Sequence, residues 1–240
     1  MRVAIFSDVH GNLDALQEVL EKITELQVDR VICLGDVVGY GADPNACVDL
    51  VQDVADVGVA GNHDWASVGL LNTQFFNPIP LIAIQWTADV LDERQANFLR
   101  RCPLVLNEDP VFYVHASPHE PERWHYLSDL EDGRAALHQT TSQLCFVGHS
   151  HRAFICSESN QTDVIIEGHV QLCVSDRYLI NVGSVGQPRD GDPRASFAIW
   201  DQGSGNLHLH RVSYDVLAAQ KKIREARLPE FLAERLAVGR

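Results

Sequence analysis

Nowhere in this 240-residue chain does an apolar run approach the ~18 residues that a membrane-spanning helix needs. The N-terminal MRVAIFSD offers one arginine before an apolar stretch too short for a signal segment, so a cytoplasmic protein without membrane partners is expected. Basic residues are scarce: 19 Lys and Arg stand against 33 Asp and Glu, a formal net charge of −14, and no basic run is longer than Lys221-Lys222. That balance would repel a polyanion at long range and argues against a nucleic-acid polymer as partner. The cysteines, Cys33, Cys47, Cys102, Cys145, Cys156 and Cys173, form no C-x-x-C, and four lie in apolar strand-like runs. They read as reduced thiols serving as small hydrophobes rather than a disulfide framework or zinc finger. No linker, repeat or low-complexity stretch divides the sequence, so 1–240 is expected to be a single domain. With 45% hydrophobic and 22% charged residues it can bury a sizeable core.

The first half alternates strand and helix. Residues 3–6 read as a strand, and Leu13, Leu16, Leu20, Ile23 and Leu26 form a helical stripe with Asn12 available as N-cap. Strands at 31–34 and 57–60 flank a second helix at 45–54, which suggests parallel βαβ units. Residues 64–100 look largely helical, interrupted at Pro78 and Pro80 and rich in aromatics: Trp65, Phe75, Phe76 and Trp86. A strand at 111–114 ends at His115, and PHEPERWHY then reads as a long irregular loop able to cover a site. Ser128 with Glu131 resembles a capping box for a helix running to about residue 140, followed by a strand at 144–147. From 153 the chain is β-rich, with short strands at 153–156, 164–166, 170–174, 178–182, 197–200 and 207–212. His208 and His210 alternate with Leu207 and Leu209 and read as exposed strand residues. The C-terminal part is helical from Asp215, with a break at Leu228-Pro229.

Five strand ends carry similar polar punctuation: Asp8-x-His10-Gly11, Gly35-Asp36, Gly61-Asn62-His63-Asp64, His115 and Gly148-His149-x-His151. Parallel strands present their carboxyl ends along one edge, where ligands of open α/β sheets bind, so these distant residues are expected to share a cleft. Two carboxylates, one amide oxygen and four imidazoles suit Mn, Fe, Zn, Co or Ni, and seven such ligands are too many for one ion. The period-two spacing of Asp8 with His10, and of His149 with His151, would turn each pair to one side of an extended backbone. Any one of these residues alone is more simply a turn or capping residue; their joint occurrence at successive strand ends is not.

Together SDVHGN, LGDVVG, AGNHD, VHASP and VGHSH resemble the D-x-H, G-D, G-N-H-D/E, H and G-H-x-H pattern of the calcineurin-like metallophosphoesterases, over residues 7–151. INVGSVGQPR, at 180–189, is similar to a segment of the small bacterial and archaeal phosphodiesterase-like branch. The resemblance implies an α/β fold, a four-layer α/β/β/α sandwich of two mixed β-sheets, with a dinuclear metal site at strand ends. It further implies that Asp8, His10 and His151 bind one divalent transition-metal ion, that Asn62, His115 and His149 bind a second, and that Asp36 bridges them. Two such ions about 3.5–4 Å apart can share a hydroxide and clamp a phosphoryl oxygen for attack. His63 takes the place of the family's catalytic histidine, oriented by Asp64. Tyr40, Gln187 and Arg189 are the candidates for substrate contact, with packing as the equal alternative for Tyr40 and loop hydrogen bonding as the simpler one for Gln187 and Arg189; His119 and Arg152 adjoin the motifs but read as ordinary surface residues.

Two departures stand out. Gly39 occupies the position where the phosphoprotein phosphatases carry Asp and the purple acid branch Tyr, and Ala116 follows His115 where glycine is common. The expected protein is therefore a metal-dependent phosphoesterase that hydrolyses phosphodiesters or small phosphate monoesters. A protein or dinucleotide-polyphosphate phosphatase, or a non-catalytic scaffold of the same fold, is the alternative. Its partner would be a small phosphate ester, and a homo-oligomer is compatible with the sequence.

Overall fold

A computed structural model describes residues 1–74, 76–159 and 164–240; Phe75 of the aromatic stretch lies outside the described residues. The chain begins with β1 (Arg2–Phe6), α1 (Leu13–Glu25), β2 (Arg30–Cys33), α2 (Pro44–Val54) and β3 (Val57–Gly58). Three helices follow, α3 (Asn62–Ser67), α4 (Pro78–Val90) and α5 (Glu93–Arg101), and then β4 (Val105–Glu108), β5 (Val111–Val114), α6 (Leu130–Leu137) and β6 (Leu144–Val147). The last third holds β7 (Ala153–Ser157), β8 (Val164–Ile165), β9 (Gly168–Gln171), β10 (Tyr178–Val182), β11 (Ala195–Asp201), β12 (Asn206–Val212), α7 (Val216–Glu225) and α8 (Glu230–Glu234).

The strands form two sheets of six, ordered β3-β2-β1-β11-β12-β9 and β4-β5-β6-β10-β7-β8. Both are mixed: β1 runs parallel to β2 and antiparallel to β11, and β10 parallel to β6 and antiparallel to β7. The central strands are apolar on both faces because each face meets a separate core. Val3 and Ile5 of β1 point into the core between the sheets, whereas Ala4 and Phe6 join Leu16, Val19, Cys47 and Val48 beneath α1 and α2. Likewise Leu144 and Phe146 of β6 face the inter-sheet core while Cys145 and Val147 pack with Ala136 and Leu137 of α6. Period-two alternation between three apolar clusters thus builds the four layers, helix, sheet, sheet, helix. Asn12 caps α1 as expected, its side chain accepting from the Ala15 amide. None of the six cysteines is in a disulfide, and no helix among the described residues is long and apolar enough to cross a membrane.

Several local expectations are corrected. Pro78 and Pro80 do not interrupt a helix but open α4, in a first turn where the missing amide proton costs nothing. α6 is capped by Asp129, whose carboxylate accepts from the Glu131 and Asp132 amides, and it ends at Leu137. β4 was invisible in the pattern because Asn107 and Glu108 interrupt its apolar character; it pairs antiparallel with β5 at the sheet edge. His208 and His210 are half-buried rather than exposed: their rings stack at 4.0 Å, and His210 lies 5.1 Å from Phe197 on the neighbouring strand.

Candidate metal centre

The carboxyl ends of β1, β2, β5 and β6 converge, stitched by main-chain bonds from the Asp8 amide to the Gly35 carbonyl (3.0 Å), His10 to Asp36 (2.9 Å) and Gly148 to His115 (2.8 Å). All seven sequence-predicted ligands, with His63 and Asp64, are buried there. The expected extended geometry of the two period-two pairs is not what aims them. Asp8, His10, Asp36, Tyr40, His149 and His151 all have φ between +49° and +64°, the left-handed region that side-chain-bearing residues avoid. Such strain, about 1–3 kcal/mol per residue, persists only where the surroundings over-determine it, and it clusters at functional sites. The adjoining glycines are steric necessities: a Cβ on Gly61 would lie 2.0 Å from Asp36 Oδ1, and one on Gly148 would lie 2.1 Å from Ser7 Oγ.

Two groups of potential ligands result, Asp8 with His10 and His151, and Asp36 with His115 and His149, the donor atoms of each lying within 4.8 Å of one another. His10 Nε2 and His151 Nε2 face each other at 3.0 Å, and His115 Nε2 and His149 Nδ1 at 3.2 Å. Asp36 Oδ2 stands 3.6 Å from His10 Nε2 and 3.3 Å from His115 Nε2, so it faces both groups. Asp8 Oδ1 lies 3.1 Å from His151 Nε2.

The donor set fits divalent cations. Each imidazole turns its outer nitrogen to a backbone carbonyl: His10 to Val38 (3.0 Å), His115 to Leu34 (2.7 Å), His151 to Gln187 (2.6 Å) and His149 to Trp124 (2.9 Å). A proton is thereby placed on the outer nitrogen, and the inner lone pairs point at one another and at two carboxylates, as in metal-ligating histidines held by outer hydrogen bonds. Asp8 Oδ1 and Asn62 Oδ1 are buried without a hydrogen-bond partner, a costly arrangement that a cation would relieve. Burial raises the Asp8 and Asp36 carboxyls, but the imidazoles around them, His151 for Asp8 and His115 for Asp36, hold both below the ordinary range. Burial lowers His115, yet Asp36 and Asp8 carry it up to about 9, so a bound cation would displace the proton on its inner nitrogen. His149 and His151 are pushed down to about 3, by burial first and then by His115 and Arg189 respectively.

His63 sits beside the groups with its ring 4.9 Å from His10 and 4.4 Å from Tyr40, and its backbone amide donates to Asp36 Oδ1 at 2.8 Å. Its Nδ1 is buried and without a partner, so Asp64 does not orient the ring by a hydrogen bond. Asp64 grips the backbone instead, accepting from the Val38 amide (3.2 Å) and the Gly61 amide (3.0 Å). Burial, followed by the charge of Asp36, raises its carboxyl to about 7. Tyr40 packs against His10 at 4.5 Å, Arg189 lies over the Tyr40 ring at 5.5 Å, and Gln187 Oε1 accepts from Arg189 at 2.8 Å. His119 and Arg152 are side chains of the periphery, with His119 near Glu120 and Arg152 exposed. The loop after β5 does cover the site, through residues that were not singled out from the sequence: Trp124 by its carbonyl on His149, and Tyr126 by stacking on His149 at 4.0 Å. Only the aromatic content of PHEPERWHY hinted at them.

A two-sheet sandwich with paired Asp/His groups at the strand ends is the architecture of metal-dependent phosphoesterases. Residues 1–205 match the model of the calcineurin-like phosphoesterase superfamily domain, and the chain belongs to that family, whose members are generally hydrolases and typically depend on divalent metals. It is 42% identical, over 99% of its length and 98% of the other's, to an uncharacterized protein of Methanocaldococcus jannaschii. Among solved structures it is similar to a metallophosphoesterase from Sphaerobacter thermophilus, at 40% identity, with a TM-score of 0.89 and coverage of 100% of this chain and 99% of that one. A hypothetical protein from Pyrococcus horikoshii shares the fold at a TM-score of 0.81 and 19% identity, over 100% of this chain and 98% of the other.

Proposed function

We propose that this chain, acting as one unit over 1–240 in the cytoplasm, hydrolyses phosphodiesters or small phosphate monoesters with the help of two divalent transition-metal ions of the Mn, Fe, Zn, Co or Ni kind. The observation that carries the reading is the inward-facing set of donor atoms, four imidazole lone pairs and two carboxylates, beside a buried His63 whose Nδ1 has no partner. Asp8, His10 and His151 would hold one ion and Asn62, His115 and His149 the other, with Asp36 facing both. When bound, such a pair supplies Lewis acidity to a phosphoryl oxygen and acidifies a water to serve as nucleophile.

The chain's own residues do the rest. Asp8 and Asp36 bring only two negative charges to the pocket, fewer than two divalent ions neutralise, so phosphate is attracted locally despite the −14 of the whole chain. Burial outweighs the attraction of Asp36 and keeps His63 neutral; a neutral imidazole still carries one N–H, which can donate to a phosphoryl oxygen or to the leaving oxygen. Asp64 is a positioning residue: by holding Val38 and Gly61 it fixes the Asp36 turn and the first turn of α3, which carries His63. Gln187 fixes two groups at once, His151 through its carbonyl and Arg189 through its side chain, and Arg189 with Tyr40 is suited to a substrate anion. Trp124 and Tyr126 close over His149 and limit access of bulk water. No protein nucleophile is required.

The test is hydrolysis of bis-p-nitrophenyl phosphate and p-nitrophenyl phosphate by purified protein loaded with Mn²⁺, Ni²⁺ or Co²⁺. Cleavage of at least one ester, lost in His63→Ala, is expected. Protein that takes up no metal under any loading, or activity unchanged in His63→Ala, would favour the scaffold reading instead.

A further inference from the structure

Period-two spacing does not aim the ligands of the metal centre, but it does operate at the far edge of the first sheet. In β12, His208 and His210 alternate with Leu207 and Leu209, which point into the core between the sheets, so the two imidazoles share the outer face. Val170 of β9 also points inward, and β9 pairs antiparallel with β12 in a register that sets His169 opposite His208. A third imidazole therefore stands on the same outer face. The rings are neighbours: His208 and His210 stack with centroids 4.0 Å apart, and the His169 and His208 centroids lie 6.0 Å apart. α1 packs on β11 and β12, whereas β9 is the edge strand. His169 is accordingly exposed and His208 and His210 half-buried.

Three imidazoles match the donor type and number of open zinc sites, which take three protein ligands and keep a further position for water. An ion about 2.0–2.1 Å from a ring nitrogen lies about 3.2 Å from the ring centre, so two rings sharing it at 90–120° have centres about 4.5–5.5 Å apart. The spacings of 4.0 and 6.0 Å bracket that window. His169 and His210 are diagonal neighbours across the strand pair, within reach of side chains of this length. The ring nitrogens do not converge while His208 and His210 stack, but no hydrogen bond anchors any of the three rings among the described residues, and the terminal torsion of histidine is soft. Burial first, and then the adjacent imidazole, lowers His208 and brings His210 down to about 4, so both present the unprotonated ring that a metal requires. Of the surrounding charges, Lys22 and Arg2 oppose a cation beside His210 and Glu167 favours one.

We propose that His169, His208 and His210 form a metal site separate from the centre at the strand ends, taking one Zn²⁺, Ni²⁺ or Cu²⁺ ion through three imidazoles on the outer face of β9 and β12. An all-imidazole set selects these borderline cations over Mg²⁺ or Mn²⁺, which prefer oxygen donors. The ion ties the edge strand β9 to β12 and leaves a coordination position open to water. The site shares no residue with the phosphoesterase centre, and its existence does not depend on what that centre hydrolyses.

The experiment dialyses the full chain to equilibrium against a rising series of free Zn²⁺ concentrations and counts zinc per chain, while the imidazole ¹⁵N resonances are followed by NMR. At the concentration that just saturates the wild type, His169→Asn, His208→Asn and His210→Asn should each hold one zinc fewer, because a lost ligand costs more than the 10–100-fold in affinity that a lost outer-shell partner does, on the order of 100-fold or above. His138→Asn, which changes an exposed histidine beside Glu158 at the end of α6, should keep the wild-type count. The three ring signals should shift together as this zinc binds, and cleavage of the p-nitrophenyl esters should be the same in all four variants. Equal zinc in the wild type and the three site variants would overturn the proposal, and so would ring signals that do not respond. A count that falls in His208→Asn and His210→Asn but holds in His169→Asn would overturn the three-ligand site. Should the half-buried variants melt early, His169→Asn on the exposed edge strand decides the matter by itself. A protein that cleaves neither ester yet shows the one-zinc difference would defeat the phosphoesterase reading and leave this site standing; turnover without the difference defeats the site alone.

Discussion

Gly39 has φ +92°, and a Cβ built there would lie 2.5 Å from His63 Nδ1 and 3.1 Å from its Cγ. Gly39→Ala therefore strikes the proposed catalytic imidazole without touching a metal ligand. The new methyl falls nearly an ångström short of the 3.4 Å at which ordinary contact begins, and the backbone cannot retreat cheaply because the Gly41 amide bonds the Gly39 and His10 carbonyls, each at 2.8 Å. The ring must yield by roughly 1 Å, and a misplacement of that size costs a catalytic group about 100-fold in rate, or ~2.7 kcal/mol of transition-state stabilisation. Holding alanine in a left-handed conformation adds about 1–2 kcal/mol of destabilisation, worth roughly 2–8 °C in melting temperature for a chain of this size. The assay is kcat and KM on p-nitrophenyl phosphate or its diester, beside metal content and thermal melting. Metal content should hold, melting should fall modestly and kcat should collapse. A variant that melts early yet keeps kcat within about threefold of wild type would refute the steric link between Gly39 and His63. The same geometry explains why the larger residues of other branches do not fit here: with His63 in this position there is no room for them.

Three further outcomes are expected. His151→Ala should lose the ion shared with Asp8 and His10, and His149→Ala the one shared with His115; metal analysis showing both variants lacking the same single ion would refute that division. The guanidinium of Arg211 is fully buried against Asp190, and it also bonds the Arg194 carbonyl at 3.2 Å. Asp190→Ala should therefore cost about 3–5 kcal/mol in urea unfolding by stranding a buried charge, while Asp190→Leu with Arg211→Met should recover much of the loss. His210 is pushed down to about 4, by burial first and then by His208 and Lys22, with Glu167 opposing. The unfolded chain then binds a proton below about pH 6.5 that the folded chain refuses until about 4. Unfolding free energy should fall as pH drops through that window, by about 1 kcal/mol once the ring's partial exposure is allowed for, and His210→Gln should flatten the profile.

Some features were legible because they depend on neighbours in the chain. Asn12 precedes an apolar stripe of period 3.6, and an asparagine in that place caps a helix wherever the helix packs. The alternation along β1 and β6 likewise announces buried strands, and Gly-Asp, Gly-Asn-His and Gly-His-x-His following such strands announce that the chain turns there with ligand-type side chains. Other features had no local signature. β4 escapes a reading by hydrophobic period since its partner β5, not its own composition, makes it a strand. Pro78 reads as a break or as a helix start with equal ease until the orientation of α4 is known. His208 and His210 look exposed by alternation, yet Phe197 across the strand pair stacks on His210, which stacks in turn on His208.

The metal centre divides in the same way. The residue types, their order and their position after strands were written in the sequence, because side-chain chemistry and turn-forming glycine belong to single positions. How those residues converge was decided only by the folded backbone: not by strand alternation but by six left-handed residues, which long-range bonds from Gly35, Asp36 and His115 hold in conformations that a free chain would leave. Tertiary structure also moved Asp64 from the His63 ring to the Val38 and Gly61 amides, and laid Trp124 and Tyr126 over His149. The physical reason is common to all of these. Local conformational preference and chemistry are properties of a few consecutive residues, whereas burial, strain and the meeting of charges depend on segments distant in the chain that only packing brings together.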